Sequence, residues 1–248
     1  SAFPHTTPGH LPRDAGPAPV AFALTPPSGP ASLDYNQDPV QGIANAVFSP
    51  DRLDRSFMER LLAKCTDNLS LLAAPAALDQ VYDFGADAFD SIFDTLRMTT
   101  PCIVLDVPHQ WTAWTRRALV GADDILIVAE PDLANMRNTK NLMNMLKSAR
   151  PNDRPPLYCI NQVGMHKRPE IELRAFAKTV ESQPIATVPF DSRTFGEAAN
   201  NGQMIAEVSA NHRAARMFQQ MARRMTGRSE PKKDSFLSPI IKKLRRAS

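Results

Sequence analysis

The sequence predicts an α/β fold in which a mostly parallel sheet is flanked by helices, and three observations lead there. Short apolar runs alternate with polar segments of helical length, the pattern that generates βαβ units. Each run is apolar at consecutive positions, so both faces of its strand need cover, as in a parallel sheet held between helix layers. One run, Cys102-Ile-Val-Leu-Asp106, delivers a carboxylate at its C-terminal end, the edge where doubly wound sheets hold ligands.

In chain order, the expected strands are Leu69–Ala73, Cys102–Asp106, Ile125–Ala129, Leu157–Asn161 and Ile185–Val188. Helices are expected over Ser56–Lys64, Ala86–Arg97, Thr112–Val120, Asp132–Ala149 and Glu170–Glu181. The fourth of these opens on an acidic residue and closes on Lys147 and Arg150 before Pro151, the charge order a helix dipole favours. A last helix, Val208–Thr226, sets Ala214, Met217, Phe218, Met221 and Met225 on one stripe that reads as core-facing. No internal repeat is visible.

At 248 residues and 43% hydrophobic content the chain can bury one sizeable core, and it divides by texture into three parts. Residues 1–32 hold eight prolines and three glycines with no sustained apolar period, a composition expected to be disordered or extended. Residues 33–227 form the expected α/β domain. Residues 228–248 carry seven Lys/Arg against two acidic groups, a charge of +5 out of the +3 total, which leaves the body at about −2. A slightly acidic body argues against a broad nucleic-acid surface, while a basic tail argues for an anionic partner at one end.

The longest apolar stretch, from Leu69 to Leu78, is about half of a membrane span and is interrupted by Pro75, and no signal sequence opens the chain. A cytosolic protein is expected. Cys65, Cys102 and Cys159 lie far apart, the latter two in apolar runs, which suggests reduced core thiols. The five histidines make no pair at metal-ligand spacing, so no metal centre of their own is assigned to them.

Asp106 has two readings: a carboxylate positioned to hold the water shell of a magnesium ion at a phosphate site, or an Asp that ends a strand and starts a turn at Val107-Pro108. Asn161 ends the next candidate strand but one, and Pro189-Phe190-Asp191 follows the last. An amide there could read an adenine ring, or simply form a turn. Trp111 and Trp114, at i and i+3 after the Asp106 strand, read as helix packing or as a contact near the site. The sequence contains no Gly-Lys dipeptide and no G-x-x-x-x-G-K-[ST], nor a G-x-G-x-x-G or a G-x-S-x-G.

In the tail, Phe236, Leu237, Ile240, Ile241 and Leu244 share one side of a short helix with Pro239 in its first turn, and Lys242, Lys243, Arg245 and Arg246 supply the other. That composition suits a helix lying on an anionic membrane surface, or a solvated basic terminus.

Taken together, Leu33-Asp-Tyr-Asn-Gln-Asp-Pro39, Gly42-Ile-Ala, Ala73-Ala-Pro75, Val104-Leu-Asp-Val-Pro-His109, Ala118-Leu-Val-Gly-Ala-Asp-Asp124, Arg154-Pro-Pro, Asn161-Gln-Val-Gly and Ala199-Asn-Asn-Gly-Gln203 resemble the CpaE/TadZ branch of Flp/Tad pilus assembly proteins. The resemblance runs from about Leu33 to Gly227 and is carried by the aggregate. It implies a P-loop NTPase fold of the MinD/ParA kind, a protein that binds ATP and Mg, forms a homodimer and positions pilus and secretion machinery at the inner membrane or cell pole. On it, Asp106 would be the magnesium-proximal carboxylate, followed by Pro108. Asn161 would be the adenine-side amide, and Pro189, Phe190 and Asp191 would line the base pocket. Family members carry a first strand, a glycine-rich phosphate loop and an acidic switch segment just before the Leu33 motif, where this chain has its proline-rich run. Without that loop no phosphoryl transfer is expected, and a central position of the sheet should be unpaired. The chain is then a scaffold or a truncated or frame-altered remnant, unless another chain or a longer product supplies the loop.

Overall fold

The computed structural model describes residues 20–23 as backbone, and residues 54–72, 87, 89–107 and 109–227 in full. The tail at 228–248, Pro108 and the Leu33, Gly42 and Ala73 motifs lie outside the described residues. The elements in order are β1 (Val20–Ala23), α1 (Arg55–Leu61), β2 (Ala63–Thr66), β3 (Leu69–Leu72), α2 (Asp90–Thr99), β4 (Ile103–Asp106) and α3 (Ala113–Gly121). They continue as β5 (Leu126–Ala129), α4 (Leu133–Ala149), β6 (Leu157–Val163), α5 (Leu173–Val180), β7 (Thr187–Pro189), α6 (Ser192–Asn201), α7 (Ile205–Val208) and α8 (Arg213–Met225).

The α/β fold is the one expected, and each of the five expected strands forms. The strands make two hydrogen-bonded sheets, β2-β3-β1-β4 and β5-β6-β7. All pairings are parallel except β2 with β3, a hairpin. β4 and β5 follow one another in the chain yet belong to different sheets, and among the described residues no strand pairs with both.

Three expectations need correction. Val20–Ala23, inside the segment expected to be disordered, is a strand: Val20 lies opposite Ser70 on one side and Ile103 on the other. Four apolar residues with neighbours on both sides gain ladder hydrogen bonds that local composition cannot register. The helix expected over Ser56–Lys64 stops at Leu61, because Ala63–Thr66 turns back as the hairpin partner of β3. The expected Val208–Thr226 helix is broken at Ser209–His212, where the His212 side chain accepts the Ala214 N–H and starts α8 afresh. The sequence reading also missed α6, which Asp191 caps and Gly202 closes at φ +60.

The core sits in three clusters that follow from strand alternation. Along β6, Tyr158 and Ile160 face Phe176 and Val180 of α5 and Met143 of α4, while Cys159 faces Ala214, Phe218 and Met221 of α8. Tyr158 stacks on Phe176 at 5.8 Å between centroids, and its hydroxyl donates to the Ser182 carbonyl at 2.8 Å. The third cluster joins Met58 and Leu61 of α1 and Ile92 and Leu96 of α2 to Leu72, with Leu105 and Trp114 at its margin. Trp114 packs on Phe89 at 5.2 Å, as the helix-packing reading required.

β6, flanked on both sides, buries Tyr158, Cys159 and Ile160 completely or nearly so. The two strands at the break do not achieve this: Val104 of β4 is 47% exposed and Val128 of β5 is 38% exposed. The expectation that no strand face meets water therefore fails at the break. Cys102 is exposed, contrary to the core-thiol reading, whereas Cys159 is buried and desolvation pushes its thiol up to about 12. No described helix is long and apolar enough to cross a membrane.

Candidate functional site at the strand ends

The C-terminal ends of β4, β6 and β7 carry the predicted residues. Asp106 is the last residue of β4, half-buried, in register with Ala23 of β1. Asn161 lies in β6. The neighbouring register sets Val163 opposite Pro189, and the Phe190 N–H donates to the Val163 carbonyl at 2.8 Å. Asn161, Pro189 and Phe190 are therefore gathered at one end of the three-stranded sheet, with Phe190 39% exposed. Asp106 belongs to the other sheet, across the break.

Asp191 has a structural task at this edge. Its Oδ1 accepts the Thr194 N–H at 3.0 Å, capping α6, and its Oδ2 lies 3.1 Å from Nε2 of His212. His212 Nδ1 is the acceptor for Ala214, so Nε2 is the nitrogen that donates to Asp191. One carboxylate and one imidazole thus start two helices and tie them together. The hydrogen bonds from Thr194, with a smaller part from His212, hold the Asp191 carboxyl below the usual range.

Sequence reasoning missed a polar cluster at the ends of β5 and β6. Glu130 follows β5 directly; its carboxylate accepts from Gln162 Nε2 at 3.1 Å and from Arg168 Nη1 at 2.8 Å. Arg168 also donates to the Gln162 carbonyl and, at 3.1 Å, to Glu170. Glu170 accepts the backbone N–H groups of Gly164 at 2.9 Å and Met165 at 3.1 Å. Burial works to raise the Glu170 pKa, but the bonds from Gly164, Arg168 and Met165 outweigh it and hold the carboxyl low. Gly164, at φ +84, sits in the left-handed region that makes this turn possible. The one local signal was an acidic residue at a strand end, Ala129-Glu130-Pro131. Its partners, Gln162 near the end of β6 and Arg168 in the loop that follows, lie more than 30 positions on, which no spacing rule reaches.

A triphosphate needs converging N–H donors and a cation. Here the amides of Gly164 and Met165 are occupied by Glu170, and Lys64 on the β2 hairpin pairs with Asp67 at 3.0 Å. The described residues do not themselves build a triphosphate cradle, consistent with the absence of any Gly-Lys pair in the sequence.

Parallel strands between helix layers, with polar residues gathered at their C-terminal ends, define an open α/β fold. The particular version is MinD/ParA-like. The chain is 23% identical over 204 residues to the septum site-determining protein MinD of Bacillus subtilis, covering 79% of this chain and 75% of that one. Among solved structures it matches a ParA family ATPase from Chlorobium tepidum with a TM-score of 0.70 at 18% identity, over 84% of this chain and 86% of that one. MinD of Pyrococcus horikoshii, solved as a complex with Mg-ADP, matches with a TM-score of 0.70 at 18% identity, over 84% and 83% of the two chains. No protein-family model matches the chain.

Proposed function

We propose that this chain is a pilus assembly and polar localisation protein of the Flp/Tad secretion system that keeps a MinD/ParA-like fold as a scaffold rather than as a nucleotide-driven switch. The motifs from Leu33 to Gln203 support the pilus assignment. The observation that supports the scaffold reading is that Asp106 belongs to a different sheet from Asn161 and Pro189, and that the described residues build no triphosphate cradle between them. Its partners are pilus and secretion machinery proteins and a second copy of the chain, with the protein in the cytoplasm at the inner membrane or pole. The tail holds it there through Phe236, Leu237, Ile240, Ile241 and Leu244, with Lys242, Lys243, Arg245 and Arg246 on anionic lipid. Equal co-sedimentation of the parent and a Leu237→Asp/Ile241→Asp variant with anionic vesicles would remove the membrane part of this reading.

A second reading is an ATPase switch whose first strand and phosphate loop come from another chain or a longer product. The exposed valines on β4 and β5 favour it, because each strand ends its sheet among the described residues and leaves an edge to which an added strand could pair. ATP and Mg would then bind at the edge bearing Asp106, Pro108, Asn161, Pro189, Phe190 and Asp191, with Asp106 reaching Mg indirectly. Titration with magnesium-ATP, followed by tryptophan emission, separates the two readings when it is made on the folded chain joined at its N-terminus to a strand and phosphate loop, with the chain alone as control. Trp111, just before α3, is 55% exposed and Trp114, within it, lies against Phe89, so the pair reports on the surface beside α3 and on its packed side. No saturable change up to millimolar ATP supports the scaffold. Micromolar binding abolished by Asp106→Ala supports the switch.

A further inference from the structure

On the far side of the three-stranded sheet from the break, β7 and α8 border an open groove of about 400 Å³. Its strand side is formed by Ile185, Ala186 and Thr187, and its helix side by Arg213, Arg216 and Met217, with Gln220 at one end. Among the described residues β7 is the last strand of its sheet and pairs only with β6. The Ala186 carbonyl is used by the Ile160 N–H at 3.1 Å, so Thr187, the residue opposite Ile160, turns its own N–H and C=O away from β6. The N–H and C=O of Thr187 thus point outward beside two guanidinium groups.

Those guanidinium groups are not engaged. Arg213 and Arg216 are exposed, and among the described residues neither forms an ion pair. They lie on the face of α8 opposite Ala214, Ala215, Phe218 and Met221, which are buried in the core, and Arg223 and Arg224 continue the basic character toward the helix end. Helical positions i and i+3 are about 5–6 Å apart at Cβ. Side chains at alternating positions of an extended chain are about 6.6–6.8 Å apart. The two arginines therefore match two carboxylates spaced i and i+2 on a strand, and Ile185 and Met217 offer apolar contact beside them.

We propose that the groove between β7 and α8 is a docking site for an acidic, extended segment of a partner protein, which pairs with the outward N–H and C=O of Thr187 and places alternate carboxylates on Arg213 and Arg216. This is recognition by strand addition: backbone hydrogen bonds supply affinity, and the arginines select the charge pattern. It is independent of nucleotide binding and of the tail, so it stands or falls apart from either reading above.

The test uses the full chain and a labelled, capped peptide alternating valine with glutamate, read by fluorescence anisotropy at about 0.15 M salt, where exposed long-range attraction is largely screened. The comparison peptide replaces each glutamate with glutamine. The expected result is saturable binding of the glutamate peptide, at least tenfold tighter than that of the glutamine peptide. The affinity should fall at least tenfold in Arg213→Gln/Arg216→Gln and stay unchanged in Arg224→Gln, with circular dichroism identical across the set. Four results would overturn the proposal. These are no saturation up to millimolar peptide, equal affinity for both peptides, an Arg224→Gln loss equal to that of the double variant, or dependence on Arg213 and Arg216 seen for anionic vesicles or duplex DNA but not for the peptide.

Discussion

Replacing Asp191 with alanine removes two things at once, and their sizes can be worked separately. The N-cap hydrogen bond to Thr194 is worth about 1 kcal/mol, the usual loss when a capping Asp becomes Ala. The acceptor for His212 is worth a further 1 to 2 kcal/mol or so, since a half-buried donor loses a charged partner. The expected total is about 2 to 3 kcal/mol, which for a domain of this size lowers the melting temperature by roughly 4 to 12 °C. Asp191→Asn keeps an oxygen for the cap and should lose about half as much. Because the Asp191 carboxyl is held low in the folded protein, its stabilisation is present above the ordinary carboxylate pKa. It is lost as pH falls through the depressed folded value. Thermal melts of parent, Asp191→Ala and Asp191→Asn should therefore separate near neutrality and converge in acid. A double-mutant cycle with His212→Ala should show a coupling of about 1 kcal/mol. If the alanine variant melts with the parent near neutrality, or the cycle is additive, Asp191 does not join α6 to α8 as described.

Phe176→Ala should cost about 3 to 5 kcal/mol in urea unfolding, because Phe176 is fully buried against Tyr158 and its removal opens a cavity beneath α5. Gly164→Ala should destabilise by about 1 kcal/mol. The strain is backbone strain at φ +84, since an added Cβ would meet nothing within 4 Å, so an Asn at this position should restore part of the loss. Val104→Thr/Val128→Thr should stay within about 0.5 kcal/mol of the parent in equilibrium unfolding, as expected for exposed side chains. A loss of several kcal/mol would mean these valines are covered in the folded protein and that the break in the sheet is not open.

Much of the scaffold was legible because it is encoded locally. Cys102–Asp106 and Leu157–Asn161 read as strands from continuous apolar runs, and their observed starts or ends differ by no more than two residues. Helix α4 declared both its ends, through Asp132, which accepts the Asn135 N–H at 2.7 Å, and through the basic turn before Pro151. The α/β fold followed from the order of these elements, and its MinD/ParA-like version from the resemblance carried by the motifs between Leu33 and Gly227. The site was legible only as a set of strand ends. Asp106, Asn161 and Pro189 each lie at such an end, but the sequence could not say that Asp106 would fall on a different sheet from the other two.

Other features depended on partners distant in the chain. Val20–Ala23 sits among prolines and has no local reason to be extended; it becomes a strand because β3 and β4 accept it on both sides. The break before α8 and the missed helix α6 share one cause, the contact between Asp191 and His212, 21 residues apart. The Glu130–Arg168–Glu170 cluster and the groove between β7 and α8 likewise join residues whose spacing carries no periodic signal. By itself, the sequence determined the strands and helices whose apolar period and caps lie within one segment, together with the lack of a phosphate loop. Only the tertiary structure decided which strand ends meet, where the sheet divides and which charges are left unpaired, because those depend on hydrogen bonds and ion pairs made between segments after each has folded into place.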